Sequence, residues 1–442
     1  MASRQDQLHS YQFSVQRVVS ALVMGDTDPV RSPFRRIAGA TLAGILLAAV
    51  SLGAVAVFGV LSPGGGTDWR NGNAVIVERE SGARYVFTGG VLHPVPNYTS
   101  ALLVIGSADA HPVTVSRGTL AAVSRGAPLG IPGAPDPLPA ADKLLGAPWT
   151  LCSARFGDGP ARSALYLGRA PAGGTGIPDG TGLLAGAPDG TAYLIWRHTA
   201  YRVPRYALGA LAWSAETLTP VAPALVNSLA VGPDLATPPV PGTRGGASKV
   251  PGARVGQVVV ETVPGGGKQY AVALADGLAA VSELQAALLL AGSGTGQLEL
   301  SPGDFTANLN ATPLTPTGPL APPEKRPELV HPRAADRGLC ATAGGARDTL
   351  AYDVPVPAAG LPASGADRVV VEPGRGAVVS AVPGALSVVS ELGTRYPVPS
   401  ADVLTMLGYG GVTPVRIPSG VVALLPVGPA LDPVAARTPA GG

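Results

Sequence analysis

The chain of 442 residues holds 60 Gly and 46 Pro, about a quarter of its length, yet 46% of its residues are hydrophobic and its mean hydropathy is +0.29. That hydrophobicity excludes a wholly disordered chain, the missing Gly-X-Y period excludes collagen, and so much Gly and Pro argues against a soluble helical bundle. A net charge of +2, with 14% charged residues, gives no electrostatic footprint for a nucleic-acid partner.

The first predicted element is a short amphipathic helix. Leu8, Tyr11, Val15, Val18, Val19 and Leu22 recur at helical spacing, and Gly25 and Pro29 end the pattern. One helix cannot bury its apolar face alone. The face can lie in a lipid interface or dock on a partner, and its few Lys and Arg favour a protein partner over anionic lipid.

The second element runs from Ile37 to Leu61, 25 residues without charge, Pro, Asn or Gln. As a helix it would reach roughly 37 Å, enough to cross a hydrocarbon core of about 30 Å. A cleaved signal peptide has a shorter apolar stretch and a shorter leader than the 36 residues found here. The span is therefore expected to be retained. Arg31, Arg35 and Arg36 lie just before it, so the positive-inside rule puts the N-terminus in the cytoplasm and the rest of the chain outside.

Beyond the span the periodicity changes to short strands. Ala74–Val77 and Arg84–Phe87 flank a turn signal at Ser81-Gly82, and Val95-Pro96 and the apolar cluster Ser100–Val104 follow. Similar units follow Tyr193–Trp196, Gln257–Val260 and Arg368–Val371, and the four copies centre on Val95, Val203, Val281 and Val398. Their unequal spacing excludes a solenoid and suggests four small modules set around other material. The intervening stretches 124–152 and 308–340 are rich in Pro and Gly, and each ends in a cysteine, Cys152 or Cys340. Two cysteines in an external region read as one disulfide, with two free thiols as the alternative.

Catalytic signatures are absent. No S-x-x-K, G-x-S-x-G or H-E-x-x-H string occurs. The string nearest to a P-loop, Gly265-Gly266-Gly267-Lys268-Gln269, lacks the Gly five residues before Gly267 and the hydroxyl after Lys268, and reads as a hairpin turn. The five histidines are dispersed, and the four tryptophans read as core anchors. No cofactor or metal site is expected.

Several strings stand out together: Arg4-Gln5-Asp6-Gln7 with Tyr11 and Phe13, then Ala21-Leu22, Trp69-Arg70-Asn71-Gly72, Val91-Leu92-His93-Pro94-Val95 through Ser100-Ala101-Leu102, Ile131-Pro132-Gly133-Ala134-Pro135, and Trp149-Thr150-Leu151-Cys152. With them the chain resembles EccB, the single-span core membrane component of the actinobacterial type VII (ESX) secretion system. The resemblance covers nearly the whole chain. It implies an external region with a central β-rich core flanked by four repeat modules, and a disulfide in that core. It also implies assembly with the EccC motor ATPase, EccD and EccE, near the mycosin protease. Some family members carry an ATPase label.

The expected architecture is a single-pass membrane protein with a large β-rich (α+β) external region. In chain order come the cytoplasmic helix (1–36), the transmembrane helix (37–61), a first repeat (62–118), a first core segment (119–185) and a second repeat (186–240). A third repeat (250–300), a second core segment (301–365), a fourth repeat (366–430) and a tail (431–442) complete the chain. The expected role is a scaffold subunit that self-associates through its external region. The alternatives are an external ATP hydrolase and a cell-wall-binding protein.

Overall fold

The computed structural model describes residues 3–25, 33–61, 67–156, 159–263, 265–310, 313–333, 337–357 and 360–439. Helix α1 runs from Arg4 to Met24. Ser3 and Asp6 start it with a capping box: Ser3 Oγ accepts from the Gln5 N–H, and Asp6 Oδ2 accepts from the Ser3 N–H at 3.1 Å. Gly25, at φ 66°, stops it in the left-handed conformation. Helix α2 runs from Pro33 to Leu61. Its stretch Ala38–Val55 has a mean hydropathy of 2.0 and is exposed along its length. Among the described residues it is the one helix long and apolar enough to cross a membrane. Arg31 lies outside the described residues, and Arg35 and Arg36 fall in the first turn of α2.

The remaining chain builds five sheets. Four of them share one plan: three consecutive antiparallel strands, a helix, and a fourth strand laid parallel to the first. In the first sheet the strands are Ala74–Glu78, Arg84–Thr88 and Val91–Val95, then helix Tyr98–Ile105, then His111–Val115. The second has Thr181–Gly186, Ala192–Trp196 and Thr199–Val203, helix Arg205–Ala210 and the short strand Thr219–Pro220. The third has Val258–Thr262, Lys268–Ala273 and Leu278–Val281, helix Glu283–Ser293 and Leu298–Glu299. The fourth has Ala377–Val382, Ala385–Val389 and Arg395–Val398, helix Ala401–Met406 and Val415–Pro418.

The fifth sheet has seven strands and is assembled from both halves of the chain. Its middle pair is Trp149–Arg155 beside Gly338–Ala343, flanked by Ala161–Tyr166 and Thr349–Val354. One expectation fails here. Arg368–Val370, read as opening the fourth hairpin, instead pairs parallel with Ala164–Tyr166 in this sheet. The reason is its flank: Asp367 Oδ2 accepts from both the backbone N–H and the hydroxyl of Ser163, each at 2.7 Å. That local anchor outweighs an apolar run that would suit either sheet.

Packing sorts the sheets into neighbours. The first and fourth share an apolar core of Val75, Val86 and Leu103 with Val378, Val388 and Leu404. The second meets the third through Leu194 and Tyr201 against Leu284 and Leu288. One face of the seven-stranded sheet packs on the second and fourth sheets, with Trp149, Leu151 and Leu165 against Ile195, Val379 and Ile417. Both faces of the first sheet are buried, so Val75 enters one core and Ala74 and Ile76 enter another. This is why the sequence shows a continuous apolar run there rather than alternation.

The Pro- and Gly-rich stretch after residue 124 is tied down by hydrogen bonds. Asn97 caps helix Tyr98–Ile105 by accepting from the Ser100 N–H at 2.8 Å, and its amide donates to the Ile131 carbonyl at 3.0 Å. Ser100 Oγ accepts from the Ile131 N–H at 2.9 Å, and Thr99 Oγ1 donates to the Pro135 carbonyl at 2.5 Å. Gly130, at φ 128°, is required at this crossing: a Cβ there would lie 2.7 Å from Pro96 Cδ and 2.8 Å from Ser100 Cβ.

Candidate functional site

The residues picked from sequence do not converge on one cleft. They form separate features, and the structure adds another. The first is α1. Leu8, Tyr11, Val15, Val18 and Leu22 are all exposed, Leu22 at 80%, while Val19 is half-buried. Burying such a face removes about 25 cal/mol from the free energy per Å² of apolar surface, and these five side chains lie uncovered.

The second is the disulfide. Cys152 and Cys340 stand directly opposite each other on the middle pair of the seven-stranded sheet and are bonded. They lie in a small cluster with Ala164, Tyr166, Val354 and Val370, on the face away from the second and fourth sheets. The bond joins the two halves of the chain at the centre of the body.

The third feature carried no sequence signal. The two-residue turn between Trp196 and Thr199 holds Arg197 at φ 47° and His198 at φ 61°, both left-handed, a conformation that costs roughly 1–2 kcal/mol per non-Gly residue. Arg197 stacks on the Trp196 ring at 4.4 Å. His198 borders two cavities of about 450 and 550 Å³ that separate the second sheet from the seven-stranded sheet, Asp348 and Ser419. Burial pulls the His198 pKa down, against a backbone hydrogen bond at Thr349 and the Asp348 carboxylate. Its Nε2 is buried without a hydrogen-bond partner. The turn lies where the second sheet meets the central one.

Lys268 begins a strand and pairs with Thr262 across a hairpin turn, where Gly265 and Gly266 have φ 110° and 94°. A P-loop lysine needs a helix N-terminus behind it, and among the described residues none is present at this turn. His93 Nδ1 contacts the Ala127 carbonyl at 2.7 Å and His111 Nδ1 the Asp109 carbonyl at 3.0 Å, so each has a backbone partner. Among the described residues no cluster of three or more His, Cys, Asp or Glu is placed to hold a metal. Trp69, Trp149 and Trp213 are buried core anchors, whereas Trp196 is only half-buried.

A whole-chain match decides the family. Residues 1–441 match the family model described as "Type VII secretion system ESX-1, transport TM domain B". The chain belongs to the EccB family. It is similar to the ESX-3 secretion system ATPase EccB3 of Mycolicibacterium smegmatis, 29% identical across 96% of this chain and 88% of that relative. It is also similar to the ESX-2 secretion system ATPase EccB2 of Mycobacterium tuberculosis, 32% identical over 59% of this chain and 54% of that protein. Among solved structures, a chain of an intact ESX-5 inner membrane complex superposes with a TM-score of 0.63 at 26% identity, covering 100% of this chain and 96% of that one. An EccB3 dimer from the ESX-3 core complex superposes with a TM-score of 0.60 at 28% identity, covering 83% and 100%. Membership of the EccB family makes this chain a component of type VII secretion.

Proposed function

We propose that this EccB chain is a scaffold subunit of a type VII secretion membrane complex, anchored by α2, with the five-sheet body outside the membrane. The observation that carries this reading is the likeness, along the entire chain, to a subunit of an intact ESX-5 inner membrane complex. In this reading Arg31, Arg35 and Arg36 hold the N-terminal end of α2 on the cytoplasmic side. Leu8, Tyr11, Val15, Val18, Val19 and Leu22 dock on a cytoplasmic partner. EccC and EccD are the proposed partners of that helix, with EccE and the mycosin protease in the same assembly. The body self-associates, as the EccB3 dimer does.

The common strand order supports reading the four small sheets as repeats, spanning 74–115, 181–220, 258–299 and 377–418. The seven-stranded sheet, locked by Cys152–Cys340, is then the core between them. In this reading the disulfide makes the body one rigid lever above the span.

The experiment is a deletion. Removing residues 5–24 is expected to abolish co-purification with EccC and EccD from detergent while the body stays folded. Undiminished co-purification would remove α1 as the docking element. The word ATPase in the relatives' names favours the second reading, external ATP hydrolysis. It requires turnover by the purified protein that is lost in Lys268→Ala. The hairpin setting of Lys268 argues against it.

A further inference from the structure

Three arginines from two separate stretches of the chain border one cavity of about 320 Å³. Arg155 ends a middle strand of the seven-stranded sheet. Arg333 and Arg337 come from the segment that leads into its partner strand Gly338–Ala343. Thr217 and Thr219 close the cavity from the edge of the second sheet, where Thr219–Pro220 is the outermost strand.

Among the described residues, no carboxylate lines this cavity. Two nearby acids among the described residues are engaged elsewhere. Both carboxylate oxygens of Asp353 accept from the backbone N–H of Arg333, at 3.0 and 3.3 Å, and Glu216 faces His331 at 3.7 Å. Asp353 itself sits at φ 57°, a left-handed position that its grip on Arg333 holds in place. Arg155 Nε donates to the Gly159 carbonyl at 3.3 Å, which leaves its two terminal nitrogens for other partners.

The three arginines that border this space carry like charges, and an anion bound among them would offset their mutual repulsion. Guanidinium forks match the oxygens of a phosphate in pairs. Thr217 and Thr219 bring hydroxyl groups to the lining, and Leu218, Pro220 and Pro332 complete it. The volume of about 320 Å³ has room for a phosphate group together with part of a molecule that carries it.

We propose that this cavity binds a phosphate group, held by Arg155, Arg333 and Arg337. The phosphate can belong to a lipid headgroup or to a free phosphate or soluble ester, and the test separates the two. The full chain is purified in neutral detergent and melted by tryptophan fluorescence in chloride and in inorganic phosphate at matched ionic strength. A saturable upward shift in melting temperature is expected. It should vanish in the triple variant Arg155→Gln/Arg333→Gln/Arg337→Gln. Arg337→Gln alone, at an exposed side chain, should weaken phosphate binding about tenfold or more and should raise the melting temperature in phosphate-free buffer, because repulsion is relieved. A merely structural arginine would lower it.

Nanodiscs supply the second arm. If phosphatidylglycerol discs, compared with phosphatidylcholine discs, stabilise the wild type and blunt its response to inorganic phosphate, the site takes a headgroup. An unchanged response to inorganic phosphate assigns it to the soluble form. Absence of a saturable shift in the wild type, or an equal shift in the glutamine variants, overturns the proposal.

Discussion

Arg117 Nε donates to Glu78 Oε1 at 2.6 Å, so a helix that follows the fourth strand of the first sheet is tied to its first strand. Glu78 is 4% exposed and also accepts from the Tyr85 hydroxyl at 3.2 Å. The Arg117 hydrogen bond holds the Glu78 carboxyl below its usual value, against the opposing effect of burial. A carboxylate with a lowered folded pKa stabilises the fold above about pH 4.5, and that contribution fades as pH falls through the folded value. Arg117→Gln should therefore lower the melting temperature most near neutral pH. The gap to wild type should narrow below about pH 4 in a series of thermal melts. A gap that is constant with pH would show that Arg117 acts by packing alone.

Gly130→Ala tests the crossing beneath helix Tyr98–Ile105. The new methyl meets Pro96 and Ser100, and alanine resists a φ of 128°. A loss of about 2–4 kcal/mol is expected in denaturant titrations. A neutral substitution would mean that the 124–135 stretch is not anchored by this crossing.

The disulfide closes a loop with a sequence separation of 188. Chain-entropy reasoning gives it up to about 5 kcal/mol. Cys152→Ser and Cys340→Ser should each lose most of that, and the double variant little more, because both remove the same bond. Reductant should lower the wild-type melting temperature to the level of the variants and leave theirs unchanged.

His198 gives the body an acid-sensitive joint. Its folded pKa is lowered by burial, so the unfolded chain takes up the proton first. The stability is whole above about pH 6.5 and declines as pH falls from there toward the folded value. His198→Gln should flatten this region of the stability–pH curve. An identical slope in the variant would place the acid sensitivity elsewhere.

Much of this architecture was legible in the residues. Strands such as Ala74–Glu78 and Val258–Thr262 announce themselves by β-branched runs between Gly-containing turns, and α2 by 25 uncharged residues. Gly25 at the end of α1 and Asn97 at the start of helix Tyr98–Ile105 carry their own capping chemistry. What stayed hidden was long-range. In the second and third small sheets the fourth strand, Thr219–Pro220 or Leu298–Glu299, has only two residues and finds its place only by parallel pairing with a strand far back in the chain. Arg368–Val370 has the composition of any small-sheet strand, and its sheet is decided by Asp367 meeting Ser163. The Arg197–His198 turn has no Gly or Asn to mark it. The three arginines of the anion cavity lie 178 and 4 positions apart in sequence, so no spacing rule could gather them.

The shared core of the first and fourth sheets bears on how the chain is made. Leu431 and Ala436 enter that core, and Arg437 Nε donates to the Val104 carbonyl at 3.2 Å. The first body segment to leave the ribosome thus waits for almost the last. A premature stop after residue 370 would strip the earliest-made sheet of its cover, exposing apolar surface on a segment that had already been synthesised correctly. Quality control of the body thus rests on residues such as Leu431 and Ala436, and a copy lacking them should be degraded rather than assembled.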